Sequence, residues 1–264
     1  MKKLYPLLSV LFLISVGLSQ KEYNSNDLVE MDNGLFTEKF SDEPITGKVY
    51  SYFGEDAPLK KVYKGKLLNG KKEGKWVSYY NSNGRKKYEH SFKNGEWDGL
   101  IQSWYENGQK ESEGTYKDGK EDGEMTAWYQ QDEMWYKLIE PVKQYKYFAK
   151  NGKEHGLSRS WWSNGKKAYE GSFINGKEDG LVTWWYENGK KELEETYKDG
   201  KLDGLHIRWY ENGNKSYERS FINGKEDGLV TWWYENGQKE LEGSFKDGEQ
   251  ISYKLWNEDG SLKE

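Results

Sequence analysis

The sequence has no cysteine, only four prolines and only three histidines in 264 residues. Without cysteine there is no disulfide scaffold and no thiolate metal site. His90, His155 and His206 stand at unrelated positions and form no ligand pattern and no Ser/His/Asp order. No glycine loop of the phosphate-cradling type occurs. The D-G-K-E-D-G segment at 118–123 lacks the alternating acidic ligands and distal Glu of a calcium loop. An enzyme needs a unique converging set of groups, and none is present. The expectation is therefore a non-enzymatic chain with no catalytic residue, metal or cofactor. Excess positive charge is also lacking: 40 basic residues face 45 acidic ones, a net charge of −5. That balance excludes nucleic acid as the expected partner, because phosphate attraction dominates such affinity. It also leaves a membrane surface without the polybasic cluster that anionic lipids require.

Long apolar runs are missing except for Leu4–Leu18, which follows Lys2 and Lys3 and leads to Ser19. The run is shorter than the ~20 residues of a spanning helix. Basic start, apolar middle and small residues near a cut read as a signal peptide over residues 1–19. Cleavage would leave Gln20 first, with 38 basic and 45 acidic residues, a net −7. The expected location is extracytoplasmic, periplasmic or secreted. With no Cys at the cut, a lipid-modified N-terminus is excluded.

Little apolar surface and 32 % charged residues lean towards disorder. The aromatic residues argue the other way: 13 Trp, 21 Tyr and 9 Phe, together 16 % of the chain. Thirty Gly beside four Pro suggest many tight turns. A folded all-β protein follows, with rings supplying its apolar surface.

The order of residues is repetitive. Asn-Gly turns end at Gly84, Gly108, Gly165, Gly189, Gly213 and Gly237, with spacings of 24 outside one insertion. Further Gly series run through Gly95, Gly119, Gly152, Gly176, Gly200, Gly224 and Gly248, and through Gly99, Gly123, Gly156, Gly180, Gly204 and Gly228. A fixed period marks a repeat architecture. In the unit 180–201, strand-like runs flank Glu187-Asn188-Gly189-Lys190, and Asn-Gly between such runs is a hairpin signal. The turn 199–204 then joins one hairpin to the next. The predicted fold is an elongated single antiparallel sheet, a meander of tandem ~24-residue hairpins with about sixteen strands. A two-residue turn puts Trp184 opposite Leu193; a three-residue turn with a bulge puts Trp185 opposite Lys191 and Thr183 opposite Leu193. Both registers stay open.

Rings recur at fixed places. Trp104, Trp128, Trp161, Trp185, Trp209 and Trp233 are each followed by another ring, Tyr105, Tyr129, Trp162, Tyr186, Tyr210 and Tyr234. Phe92, Tyr116, Phe173, Tyr197, Phe221 and Phe245 make a further ladder, and Gly114, Gly171 and Gly243 leave room for rings over the backbone. Lys86, Lys110, Lys167, Lys191, Lys215 and Lys239 precede by three residues Glu89, Glu113, Glu170, Glu194, Glu218 and Glu242. Such regularity reads as cross-strand charge pairs on a solvated face.

These features resemble the MORN repeat in its bacterial variant form: the W-Y-E-N-G turn, the Y-E-G-S-F run at 169–173 and the I-N-G-K-E-D-G run at 174–180. The resemblance covers about residues 70–260, with a degenerate unit starting near Gly47. Arrays of this kind are similar to the YwqK-type antitoxin family. The resemblance implies an elongated antiparallel sheet and a protein-binding role, and supplies no catalytic residue.

Specificity is expected where the repeat is broken. The array spans 47–264, with a longer hairpin at 130–150 and an N-terminal cap at 20–46. The longer hairpin, with Pro141 near its tip, carries Trp135, Tyr136, Tyr145 and Tyr147 as candidate partner-binding residues. Trp184 and Trp232 fill a slot held by Ser78, Ser103, Ala127, Ser160 or Arg208 in other units. A protein is the expected partner. The alternative is a polysaccharide, or a cell-envelope surface role, using exposed Trp and Tyr rings.

Overall fold

A computed structural model describes residues 21–54, 60–132 and 140–263. The signal-peptide reading over 1–19, and the candidates Trp135 and Tyr136, lie outside the described residues. The strands are β1 (Glu22–Asn24), β2 (Leu28–Glu30), β3 (Phe36–Glu38), β4 (Gly47–Phe53), β5 (Lys60–Leu68), β6 (Lys71–Tyr79), β7 (Lys86–Lys93) and β8 (Glu96–Trp104). Next come β9 (Lys110–Lys117), β10 (Lys120–Trp128), β11 (Lys143–Lys150), β12 (Lys153–Glu154), β13 (Gly156–Trp161), β14 (Lys167–Ile174), β15 (Lys177–Glu178) and β16 (Gly180–Trp185). The rest are β17 (Lys191–Lys198), β18 (Lys201–Trp209), β19 (Lys215–Ile222), β20 (Lys225–Glu226), β21 (Gly228–Trp233), β22 (Lys239–Lys246) and β23 (Glu249–Leu255). One 3-10 turn, Ser25–Asp27, is the only helical element among the described residues.

From β4 onward the strands pair antiparallel in chain order, and β1 adds itself parallel to β4, giving a 21-stranded sheet. Three pieces, β12, β15 and β20, are split from the strands that follow them by His155, Asp179 and Asp227. The backbone N–H groups of these residues turn to the carbonyls of Phe148, Ser172 and Ser220. The meander read from the sequence is thus the observed fold, a few strands longer than expected.

The two kinds of turn exchange the roles that the sequence suggests. Asn94, Asp118, Asn151, Asn175, Asp199, Asn223 and Asp247 have φ near +50°, and each is followed by a Gly of positive φ. Lys198 pairs with Lys201 across Asp199-Gly200, so the tight two-residue turn with both φ > 0 lies here. At Asn188-Gly189 only the glycine is left-handed, with φ +90°. Gly189 N–H donates to the carbonyl of Tyr186, and Tyr186 N–H donates to that of Lys190. Asn188 keeps ordinary φ because its Oδ1 accepts from Lys190 N–H at 2.8 Å.

The turn at Asn188 ends in a bulge that combines the two candidate registers. Trp184 faces Leu193 and Trp185 faces Lys191, leaving Glu192 unpaired. Thr183 faces Glu194, not Leu193. The same irregularity recurs beside Trp104, Trp128, Trp161, Trp209 and Trp233. It corrects the expected charge pairing. Strand neighbours two apart share a face, and one extra residue brings residues three apart onto it. Each Lys therefore pairs with the Glu three residues on in its own strand, at 2.6 Å for Lys86–Glu89 and Lys110–Glu113. Lys191–Glu194 pairs likewise. The same lysines lie over the next unit's indole, at 4.8 Å for Lys86 over Trp104 and 4.9 Å for Lys167 over Trp185.

Among the described residues, only the cap end has an apolar cluster of the usual kind: Tyr23, Ile45, Val49 and Leu67, with Leu28, Phe36 and Trp76 against it. Elsewhere a single layer is held by side chains lying along the sheet. The Tyr169 hydroxyl lies over Gly171, where a side chain would collide with it. At Gly114 the neighbour is Met125, a flexible chain in place of a ring.

Candidate docking face

Two faces and two long edges follow from this register. The edges are already occupied. On one, Tyr80 Oη donates to Trp104 O at 2.7 Å, Tyr105 to Trp128 at 2.8 Å and Tyr129 to Trp161 at 2.9 Å. The series continues with Tyr186 to Trp209, Tyr210 to Trp233 and Tyr234 to Trp256. In the one unit with Trp in place of Tyr, Trp162 Nε1 donates to Trp185 O at 2.9 Å, so the indole N–H replaces the hydroxyl. Asn164 Nδ2 and Asn212 Nδ2 reach the carbonyls of Glu187 and Glu235 at 2.9 Å. On the other edge each tight-turn Gly N–H bonds one unit back, as Gly200 does to Glu178 O at 2.8 Å. Most of the repeated rings and Asn residues are thus consumed in joining hairpins.

The strands on either side of the insertion, β10 and β11, pair antiparallel. Tyr129 N–H donates to Val142 O, so the loop closes there and Pro141 is at its foot, not its tip. Gln109 and Gln131 exchange two amide–backbone bonds of 2.7 Å across its base. Tyr145 and Tyr147 of the longer hairpin stand in regular β11. Tyr145 holds the row position of Tyr169. Tyr147 stands where a neighbouring hairpin has Gly171, and buried Ala149 stands where that hairpin has Phe173. Ring and small residue have exchanged places.

The face that bears Tyr145 carries a continuous row. Pairings run Tyr145–Ser160, Ser160–Tyr169, Tyr169–Trp184, Trp184–Leu193, Leu193–Arg208, Arg208–Tyr217, Tyr217–Trp232, Trp232–Leu241 and Leu241–Leu255. Nine steps of ~4.8 Å give a stripe of about 43 Å, interrupted by only Ser160 and Arg208. Trp184 and Trp232 keep 42 % and 41 % of their surface exposed. Their rings lie 4.5 Å from Tyr169 and 5.7 Å from Tyr217. The same row on β6–β10 is mostly small or polar: Ser78, Tyr88, Ser103, Ser112 and Ala127. The structure therefore brings Tyr145, Trp184 and Trp232 into one row and sets Tyr147 in the neighbouring one.

Carboxylates flank the stripe. Burial, then the charge of Glu121, pushes Glu154 above the usual carboxylate range. Burial, then Glu195 and Glu154, does the same to Glu178. Tyr147 donates to Glu121 at 3.0 Å and Tyr197 to Glu195 at 2.9 Å. Burial, then Glu121, pushes Tyr116 up to about 12. His206 bonds the Tyr217 hydroxyl at 2.7 Å, and burial, then Arg219 and Arg208, holds it down to about 4. It is neutral at pH 7, and its 3.4 Å approach to Glu195 is not an ion pair. These groups are spread along the array and do not converge on one reacting centre.

The opposite face holds a row that the sequence reading missed: exposed Leu100, Leu157, Leu181, Leu205 and Leu229. The signal was present, since Leu follows the Gly of the third series at each of these positions. Among the described residues no cluster of His, Asp and Glu could hold a metal ion. No helix there is long and apolar enough to cross a membrane.

No curated protein matches the chain. A family model described as MORN repeat variant matches residues 97–118, 154–175, 178–199, 202–223 and 226–247. Each matched segment is a stretch of the hairpin array just described, so the chain is a repeat protein with five segments similar to the MORN repeat variant.

Proposed function

We propose that the chain is a non-enzymatic protein-interaction module that docks an extended partner segment along the Tyr145–Leu255 stripe. The observation that carries this reading is the stripe itself: contiguous, mostly apolar and partly exposed. Contiguous exposed apolar surface of this kind marks interaction sites, and long repeat arrays suit extended partners. The flanking carboxylates favour a partner with a basic rim. The module acts outside the cytoplasm, after removal of residues 1–19; an N-terminus other than Gln20 on the exported protein contradicts this. A protein toxin is the partner class that the antitoxin resemblance implies. The interaction is tested by capture of partners from envelope extract with wild-type and Trp184→Ala/Trp232→Ala protein. The double variant is expected to lose about 2 kcal/mol or more of binding, as central aromatic anchors do. Recovery of no partner by the wild type counts against the reading.

A polysaccharide is the second reading, favoured by the two exposed indoles four strand places, ~19 Å, apart. Glycan binding abolished in the same double variant supports it; no binding to any polysaccharide sinks it.

A further inference from the structure

At the opposite end of the molecule, the cap and the first hairpins enclose a pocket of about 310 Å³. That volume is at the lower end of the range for small-molecule sites. Its walls include Phe36, Trp76, Tyr88 and Phe92, with His90 between them. Lys72 projects into this setting. Its ammonium lies 5.4, 5.5 and 5.1 Å from the ring centres of Phe36, Trp76 and Phe92. Lys64 adds a second cation, and among the described residues no carboxylate lines the pocket. Neither lysine has an ion-pair partner among the described residues. Burial, then the Lys72 charge, pushes His90 below the usual imidazole range. The hydroxyl of Ser78, also in the wall, is buried without a hydrogen-bond partner.

Position within the repeat sharpens the case. Lys72 occupies the place after the tight turn where Glu121, Glu154, Glu178 and Glu226 stand in other units. His90 takes the place of Gly114, Gly171 or Gly243. The pocket therefore takes its Lys72 and His90 from departures from the repeat, and its charge is opposite to that of the carboxylate row further along. An ammonium held against π faces without a counter-charge is a ready partner for an anion, and the surrounding rings require an apolar body.

We propose that this pocket binds a small amphipathic carboxylate, an aryl or alkyl acid whose carboxylate pairs with Lys72 and whose apolar part lies against Trp76 and Phe92. The test is calorimetric titration of the full chain with indole-3-acetate and with octanoate. Indole-3-acetamide and inorganic phosphate serve as the uncharged and the body-less comparisons. At least one acid binds, and Lys72→Glu, a residue the fold carries at this place in four other units, weakens it at least about tenfold. Lys72→Gln, which keeps the chain but not the charge, gives a similar loss. The Trp184→Ala/Trp232→Ala protein binds the acid as wild type does, which separates this site from the docking stripe. The proposal is overturned if the amide or phosphate binds as tightly as the acids, or if Lys72→Gln binds within about twofold of wild type. It is also overturned if neither acid binds at ~10 mM, where even one ion pair on an apolar body should register.

Discussion

Trp162 shows what the recurrent ring after each strand is for. Six tyrosines use a hydroxyl to reach the carbonyl of the next unit's Trp, and Trp162 uses its indole N–H for the same bond. Trp162→Tyr should therefore leave stability nearly unchanged in urea denaturation, whereas Trp162→Phe should cost about 1 kcal/mol or somewhat more. His206 carries the clearest pH signature. Its folded pKa lies below its unfolded value, so the unfolded chain binds the proton more readily. The His206 contribution is intact above pH ~6.5 and is lost as the pH falls from there towards 4, at up to about 1.4 kcal/mol per pH unit. Glu154 and Glu178, shifted upwards, act in the opposite sense in the acid range, so the comparison must be with a variant. His206→Val places there the residue that Val182 and Val230 supply in equivalent units. Urea melts at pH 7 and 5 should show a smaller drop for the variant; an equal drop contradicts the assignment.

At the scale of the hairpin, the same dipeptide serves two turns. Asn-Gly in the Asn188 turn is a glycine bulge supported by a side-chain bond, while Asp199-Gly200 and its Asn-Gly counterparts hold two left-handed residues. Asp199→Ala should cost about 1–2 kcal/mol by forcing a side chain without local hydrogen bonding into that conformation. Asp199→Asn should be neutral, since Asn94, Asn175 and Asn223 already occupy the place. Thermal melts of the two variants decide it. This is also where legibility in the sequence stops. Period, strand alternation and meander were readable because Gly and ring positions recur. The turn types were not, because Asn188 is fixed by its bond to Lys190 N–H and by a carbonyl in the next unit. The charge row was misread as cross-strand for a related reason: an inserted residue changes which neighbours share a face. Of the candidate site, the variable Trp184/Trp232 slot was legible. Its companions Tyr169, Leu193, Tyr217 and Leu241 became visible only with the register.

Across the whole molecule, stability comes from joints between neighbours, and among the described residues no apolar core cluster lies beyond the cap end. Identical stretches at 172–189 and 220–237 allow a direct check of that architecture. Deleting 180–227 removes 48 residues and rejoins Asp179 to Gly228 in an unchanged local sequence. The shortened array should fold, with a urea m-value reduced roughly in proportion to length. Failure to fold would point to contacts between distant units. The division of labour is the central claim: repeated residues hold the array, and departures from the repeat bind. The most direct measurement compares Trp184→Ala/Trp232→Ala with Tyr186→Phe/Tyr234→Phe for melting temperature and for partner capture side by side. The Trp pair should still fold and melt cooperatively but lose the partner, and the Tyr pair should melt earlier and keep it. A Trp pair that retains the partner, or a Tyr pair that loses it with an unchanged melt, would contradict the account.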